Sequence, residues 1–141
     1  MKKFVDIETP YAGKTKKQTK KNIFYARACV RDCLTRNEIP FASHLFYTQP
    51  GILDDNIENE RDIGINIGKE LIEALPKIVT VVYKDLGISR GMEYGIERAL
   101  KNKRNVSYRT LGEDWEKKNL KIAKKHSHAF LWGFDPLIFK V

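Results

Sequence analysis

The sequence lacks the features that mark several specialised classes of protein. Its 141 residues include only two cysteines, too few for a disulfide framework, and no Cys/His spacing typical of a zinc site. The longest purely aliphatic run, around residues 78–82, is far below the ~18 residues of a membrane-spanning helix. The N-terminus is basic but has no apolar core of the kind found in secretory signals. We therefore expect a cytoplasmic, single-domain protein with no membrane partner and no metal or cofactor.

The positive charge is concentrated at the two ends of the chain. The net charge is +8, and residues 1–36 carry +7, residues 37–99 carry −5 and residues 100–141 carry +6. Basic segments with aromatic residues are typical of nucleic-acid binding, but lysines on a helix also form ordinary solvated surfaces. Because the middle segment is acidic, the charge indicates a small anionic ligand first, a solvated surface second and a polynucleotide third.

The hydrophobic pattern alternates between strand and helix. Strands are predicted over residues 4–11, 39–45, 77–83 and 106–108, and helices over residues 19–37, 58–75, 89–103 and 115–126. This order predicts an α/β fold with a doubly wound parallel sheet of four to five strands, flanked by helices, a basic C-terminal helix and an aromatic tail. Residues 1–112 would form the α/β domain, and residues 113–141 would pack on it or on a neighbouring subunit.

Ligands of doubly wound folds bind at the carboxyl ends of the strands. One such end, at residues 84–93, contains Gly87 and Gly91, which let a ligand approach the backbone closely. Ser89 is a good N-cap, and the free N–H groups of a helix N-terminus attract anions. Glu93, in the first turn, could act as a nucleophile or general base, or could simply complement the helix dipole.

Other strand and helix ends carry further candidates. Asp62 or Glu60 could orient a sugar hydroxyl, although an acidic first turn is common in helices. His44 could contact a ligand or be a hydrogen-bonded structural residue. Residues 13–15, Gly-Lys-Thr, match the last three positions of the phosphate-binding loop of NTPases. The first position of that motif must be glycine, and it is Glu8 here, so no NTPase loop is expected. The lysines that follow could instead screen a ligand phosphate.

Several segments in combination resemble one family. They are Thr9-Pro10-Tyr11-Ala12-Gly13, Asn22 with Tyr25-Ala26-Arg27, residues 40–49, Leu53-Asp54-Asp55, residues 60–64 and residues 85–92. Together they resemble the nucleoside 2-deoxyribosyltransferase-like superfamily, in a branch of small proteins common in phages and bacteria. The similarity covers about residues 4–110.

The resemblance implies a flavodoxin-like domain that binds a nucleoside or nucleotide and acts on its N-glycosidic bond. It implies Glu93 as the nucleophile that attacks the anomeric carbon, with Asp85 or Asp62 as the acid. Relatives are usually dimers or larger, which implies a homo-oligomer. The ligand-binding residues implied in this sequence are Thr9, Tyr11, Asn22, His44, Tyr47, Ser89, Arg90, Gly91 and Met92.

The last of these segments fits the family in two registers. Gly91-Met92-Glu93-Tyr94-Gly95 resembles the Gly-Met-Glu-Leu-Gly pattern of the transferases, which makes Glu93 the nucleophile. Other relatives read Gly-Met-x-x-Glu-Ile-x-x-Ala, and in that register the glutamate position is Gly95. Two residues along a helix rotate a side chain by about 200°, so only one of these positions can face a pocket. The nucleophile is therefore either Glu93 or absent.

Three functions remain open at this point. The first is an enzyme that cleaves or transfers an N-glycosidic bond, as a deoxyribosyltransferase or a nucleotide N-glycosidase. The second is a catalytically inactive nucleotide binder that senses or sequesters a nucleotide-derived signal, as a phage counter-defence protein would. The third is a nucleic-acid-binding protein that uses the basic ends.

Overall fold

Nine helices and strands lie along residues 1–126, the part of the chain that this computed structural model describes. In chain order they are β1 (Phe4–Glu8), α1 (Lys16–Thr35), β2 (Ile39–Phe41), α2 (Ser43–Phe46), α3 (Glu58–Glu73), β3 (Val79–Tyr83), α4 (Arg90–Lys101), β4 (Val106–Arg109) and α5 (Trp115–Lys125). The predicted α/β class is confirmed. The aromatic tail after residue 126 lies outside the described residues. None of the described helices is long and apolar enough to span a membrane.

The four strands form one parallel sheet in the order β2-β1-β3-β4, which is consistent with a flavodoxin-like fold. β1 pairs with both β2 and β3, with Asp6 opposite Phe41 on one side and opposite Thr80 on the other. β3 also pairs with β4, where Val82 lies opposite Tyr108. From β1 the chain continues to β2 on one side of the sheet, and from β3 it continues to β4 on the other side. The strand order therefore reverses between β1 and β3.

The predicted second strand is too long. It ends at Phe41, and α2 replaces its C-terminal half. The backbone N–H groups of Leu45 and Phe46 both donate to the carbonyl of Ala42, at 3.0 Å, which closes a helical turn. A short apolar run satisfies the strand pattern and a single turn of helix equally well, so periodicity could not separate them here.

One face of the sheet carries the main core. Val5 and Ile7 of β1 and Val81 and Tyr83 of β3 point to this face, and they pack with residues of α1 and with Trp115 of α5. Alternate positions of a strand share a face, which explains why the apolar residues at positions 5, 7, 81 and 83 meet. α1 and α5 cover this face side by side.

The opposite face of the sheet is more polar. Asp6, Glu8 and Thr80 alternate with the core residues and therefore lie on this face, which α4 covers. Asp6 is 4% exposed and Thr80 is fully buried. α4 presents Met92, Gly95 and Ala99 as its buried residues. Two carboxyl groups on one strand are thus enclosed between the sheet and a helix.

Helix α3 leaves much of its apolar side uncovered. Ile63, Ile67 and Leu71, whose spacing of four residues predicted the helix, are 45%, 42% and 38% exposed. Only Gly68 and Ile72 of this helix are buried. The spacing correctly predicted the helix, but most of the apolar stripe does not contact the core among the described residues.

Candidate functional site

The point where the sheet order reverses places the candidate site at the carboxyl ends of β1 and β3. The chain leaves β1 toward α1 on one face of the sheet and leaves β3 toward α4 on the other face, so the two loops part and leave a crevice between them. Thr9 follows β1 directly, and Asp85 follows β3 after one residue. Ala42 and His44 follow the neighbouring β2.

Four of the predicted ligand-binding residues come together after β1. The Thr9 hydroxyl and His44 Nε2 are hydrogen-bonded at 2.7 Å. The Tyr11 ring packs edge-on against His44, with ring centroids 6.0 Å apart. Buried Asn22 of α1 donates from Nδ2 to the Tyr11 carbonyl at 2.9 Å. Burial lowers the pKa of His44 to about 4, so its imidazole is neutral near pH 7.

A polar cavity of about 620 Å³ opens beside this cluster. Tyr11 and Thr19 line it from one side, and the loop between α2 and α3 lines it from the other. The carboxylates of Asp54, Asp55 and Glu60 are on its wall, and Glu60 Oε2 accepts a hydrogen bond from the Asp54 N–H at 2.6 Å. No group of three or more His, Cys, Asp or Glu side chains in residues 1–126 could hold a metal ion. Besides these carboxylates and the Tyr11 ring, the cavity is lined by smaller polar and apolar residues such as Thr19, Asn56 and Leu53.

A larger groove of about 970 Å³ runs between α1, α2 and α5 and includes the end of the edge strand β2 at Phe41. Its lining is mostly apolar and includes Phe24, Leu34, Leu45, Phe46 and Ile122. Such a surface offers few hydrogen-bonding partners, so the polar cavity is the better candidate site for a polar ligand.

Glu8 at the end of β1 is the one buried-face carboxyl that also reaches the strand ends. Its side chain lies against Gly95 of α4, where an added Cβ would overlap its Cδ and Oε1 and lie 2.8 Å from its Oε2. Burial, and after it the neighbouring Asp6, raise the pKa of Glu8 to about 8 against the opposite effect of Arg98 and Arg104. Glu8 is therefore largely protonated at neutral pH.

The side of α4 that faces the sheet shows which of positions 93 and 95 points inward. Met92 and Gly95 are buried against it, and Glu93 is exposed. The position that the second family register assigns to glutamate is thus the inward one, and it is glycine in this chain. The Glu93 carboxylate, which the sequence predicted as the nucleophile, lies on the outer side of α4. Asp62 is likewise exposed, on α3.

Asp85, the predicted acid, is engaged in structural hydrogen bonds. Its carboxylate accepts from the Tyr25 hydroxyl and from the backbone N–H groups of Leu111, at 2.9 Å, and Gly112, at 3.0 Å. Burial opposes ionisation of Asp85, but these donors prevail and lower its pKa. Asp85 thereby joins the end of β3 to α1 and to the segment after β4.

We expect Asp85→Ala to lower the free energy of unfolding by about 1–3 kcal/mol, because it leaves the Tyr25 hydroxyl and two N–H groups without their acceptor. Urea unfolding followed by circular dichroism measures the change. Glu113→Ala, at an exposed site in the same segment, is the matched control and should change stability little. Equal midpoints for the two variants would contradict a structural role for Asp85.

The other predicted residues near α4 and α2 have local partners. Ser89 caps α4, with its hydroxyl accepting from the Met92 N–H at 3.3 Å. Arg90 Nε donates to the Tyr94 hydroxyl at 3.0 Å. Gly91 is exposed in the first turn. Tyr47 packs edge-on against two aromatic rings, those of Phe41 and Phe46. Tyr47 does not line the polar cavity.

Sequence reasoning noticed Glu8 only as a departure from the phosphate-loop motif. The signal that could have identified it is the alternation in β1, where the acidic Asp6 and Glu8 each follow an apolar residue, Val5 and Ile7. Charged residues at the positions of a central strand that face a helix are rare without a function. The partner, Gly95, is 87 positions away in the sequence, so no local pattern links the two.

Comparison with known proteins identifies one family. A family model described as a domain of unknown function, DUF7768, matches residues 3–109, from β1 to the end of β4. Neither a curated protein nor a solved structure matches the chain.

Proposed function

Since the chain belongs to the family described as a domain of unknown function, DUF7768, we propose a function from the chemistry of its strand ends: the protein binds a nucleoside or nucleotide there and cleaves or transfers its N-glycosidic bond. The observation that carries this proposal is the polar cavity beside the Thr9, Tyr11 and His44 cluster. It lies at the edge of the sheet where doubly wound folds bind their ligands.

The cavity offers each part of a nucleoside a suitable partner. The Tyr11 ring can stack on a base, as aromatic side chains do in many nucleotide sites. The carboxylates of Asp54, Asp55 and Glu60 can accept hydrogen bonds from sugar hydroxyls. Neutral His44, held by Thr9, can support the Tyr11 ring without adding charge.

A phosphate group on the ligand would find positive charge nearby. α1 begins at Lys16, just after the cavity-lining Gly13, so its N-terminal N–H groups face this end of the sheet. Lys14, Lys16 and Lys17 are all exposed in this segment. A nucleoside monophosphate is therefore the form that we expect to bind best.

A second candidate function is nucleotide binding without turnover. The observation that favours it is the placement of the three predicted carboxylates: Glu93 and Asp62 are exposed, and the Asp85 carboxylate is occupied by three donors. A binder needs only the cavity, whereas an enzyme also needs a proton donor at the leaving base.

A combined binding and product assay tests the proposal. The wild-type protein is titrated with ribonucleosides, deoxynucleosides and their 5′-monophosphates by calorimetry, and free base is separated by chromatography after incubation. We expect binding and release of free base, and Tyr11→Ala should weaken binding about tenfold or more through loss of stacking. Tyr108→Ala removes an exposed tyrosine of the edge strand and is the matched control.

The outcomes separate the candidates. Binding without free base from any compound supports the non-catalytic binder, and no binding at all overturns both. The exposed stripe of Ile63, Ile67 and Leu71 on α3 supports the homo-oligomer that belongs to the same proposal, because uncovered apolar surface of this kind is typical of protein interfaces.

A further inference from the structure

We infer that the carboxyl group of Glu8 is the proton carrier of this site: it protonates the leaving base and then accepts a proton from the attacking water. The inference rests on the proposed function, and it assigns the chemistry to a strand residue in place of Glu93, Asp85 or Asp62.

Glu8 is at the point of the sheet where a ligand would lie. It is the last residue of β1 and pairs with Val82 of β3, so its side chain lies at the reversal of the strand order. Two residues, Thr9 and Pro10, separate it from Tyr11, so the two Cα atoms are at most about 11 Å apart. A nucleoside with its base on Tyr11 could therefore bring its N-glycosidic bond near the Glu8 carboxyl.

The fold leaves space for this carboxyl and gives it no fixed partner. Gly95 is the residue of α4 that faces it, and any side chain at that position would occupy the place of the Glu8 carboxyl. Within residues 1–126 no side chain or backbone group donates a hydrogen bond to Glu8. Glu8 is partly exposed as a residue, and its carboxyl, although it packs against Gly95, has no hydrogen-bonding partner in this part of the chain. It differs in this respect from the Asp85 carboxylate.

The surrounding charges keep a proton on Glu8. Burial and the adjacent Asp6 disfavour the carboxylate, and these two effects raise its pKa to about 8. Arg98 of α4 and Arg104 after it act in the opposite direction on both acids, yet the pKa of Asp6 is also raised, to about 6. These are the charged groups that face Glu8 from β1 and from α4 with its following turn.

The reaction balances with water as the only other reactant. As the C1′–N bond breaks, its electron pair goes to the base, and the Glu8 carboxyl gives its proton to that base nitrogen. The oxygen of a water molecule then forms a bond to C1′, and its proton goes to the Glu8 carboxylate. The products are the free base and the sugar with a C1′ hydroxyl, and Glu8 is protonated again. A carboxylic acid kept neutral near pH 7 is suited to this cycle.

The test compares Glu8→Gln with Glu97→Gln, which changes an exposed glutamate of α4. The substrate is whichever nucleoside or 5′-monophosphate the wild type cleaves. We expect Glu8→Gln to bind it normally by calorimetry but to release free base about 10²- to 10⁴-fold more slowly. Gly95→Ala keeps the glutamate but displaces its carboxyl, so it should also slow base release. Glu97→Gln should behave as the wild type.

A second readout does not depend on activity. Carbon-13 NMR of labelled glutamate side chains, assigned by the loss of one signal in Glu8→Gln, gives the titration midpoint of Glu8 in the free protein. A midpoint well above that of the exposed glutamates supports the inference. A midpoint near that of exposed glutamates, or wild-type turnover by Glu8→Gln, overturns it and leaves the proposed function intact. Absence of turnover by the wild type overturns both.

Discussion

Replacing Trp115 with alanine is expected to lower the free energy of unfolding by about 3–5 kcal/mol. Trp115 is the first residue of α5 and is only 6% exposed. Its ring centroid lies 4.9 Å from that of Tyr25 and 5.8 Å from that of Phe24, both on α1. The alanine would leave a cavity between the two helices, and the surrounding residues could close it only in part.

Urea unfolding measures this loss, with Tyr94→Ala as the control because Tyr94 is an aromatic residue that is 55% exposed. A control change within about 0.5 kcal/mol is expected for a surface site. A Trp115→Ala protein as stable as the control would mean that α5 does not belong to the core. The result matters because the family match ends at residue 109, before this helix.

The second large effect is a loss of stability with rising pH that Glu8 causes. The pKa of Glu8 is raised in the folded protein from 4.5 to about 8, and that of Asp6 from 3.8 to about 6, in both cases chiefly by burial. Between the unfolded and folded pKa values the folded state binds more protons than the unfolded state. Stability is therefore greatest below the unfolded pKa and falls as the pH rises through the folded one.

We expect the wild type to lose about 1–3 kcal/mol more than Glu8→Gln between about pH 5 and about pH 9, since one pKa unit corresponds to about 1.4 kcal/mol. Unfolding curves at several pH values measure the difference. Glu97→Gln serves again as the control and should follow the wild type. Parallel curves for the wild type and Glu8→Gln would show that Glu8 ionises as it does in the unfolded chain.

Glu38 has the opposite effect to Glu8 on the pH dependence of stability, because its ionised form stabilises the fold and is lost in acid. Arg109 donates to both of its carboxylate oxygens at 2.7 Å, and Lys3 is 3.2 Å away. The hydrogen bonds from Arg109 outweigh the burial of Glu38 and lower its pKa to about 2. The stability that this pair contributes is present above the unfolded pKa of 4.5 and is lost as the pH falls toward 2. The pH series described above should therefore begin above this range.

Most of the helices and strands could be predicted, because hydrophobic runs and helix-capping residues are visible in short stretches of the sequence. The apolar run around residues 78–82 predicted strand β3, and Ser89 marked the start of α4 one residue before it begins. α1 begins at Lys16, three residues earlier than expected, because Thr15 accepts from the Gln18 N–H and caps it. Helix α2, part of which was predicted as strand, has only four residues, too few to show a period.

Of the candidate site, only the residues that directly follow strands could be predicted, because the order of the strands alone brings them together. Thr9, Tyr11 and His44 follow strands β1 and β2, so their meeting at one edge follows from the parallel order. The direction of Glu93 depends on the rotation of α4 about its axis, which its packing on the sheet sets. The engagement of Asp85 depends on Tyr25, 60 positions away in the chain.

By itself, the sequence determined the alternation of strands and helices, and with it a parallel sheet and the edge where a ligand would bind, because these depend on residues close together in the chain. Only the tertiary structure decided which carboxyl group stands at that edge, since the space for Glu8 is created by a glycine on another element. It also brought the two basic ends together, as α1 and α5 lie side by side and Lys21 pairs with Glu116 at 3.7 Å. Contacts between residues distant in the chain depend on how elements pack, and packing is not encoded in any local pattern.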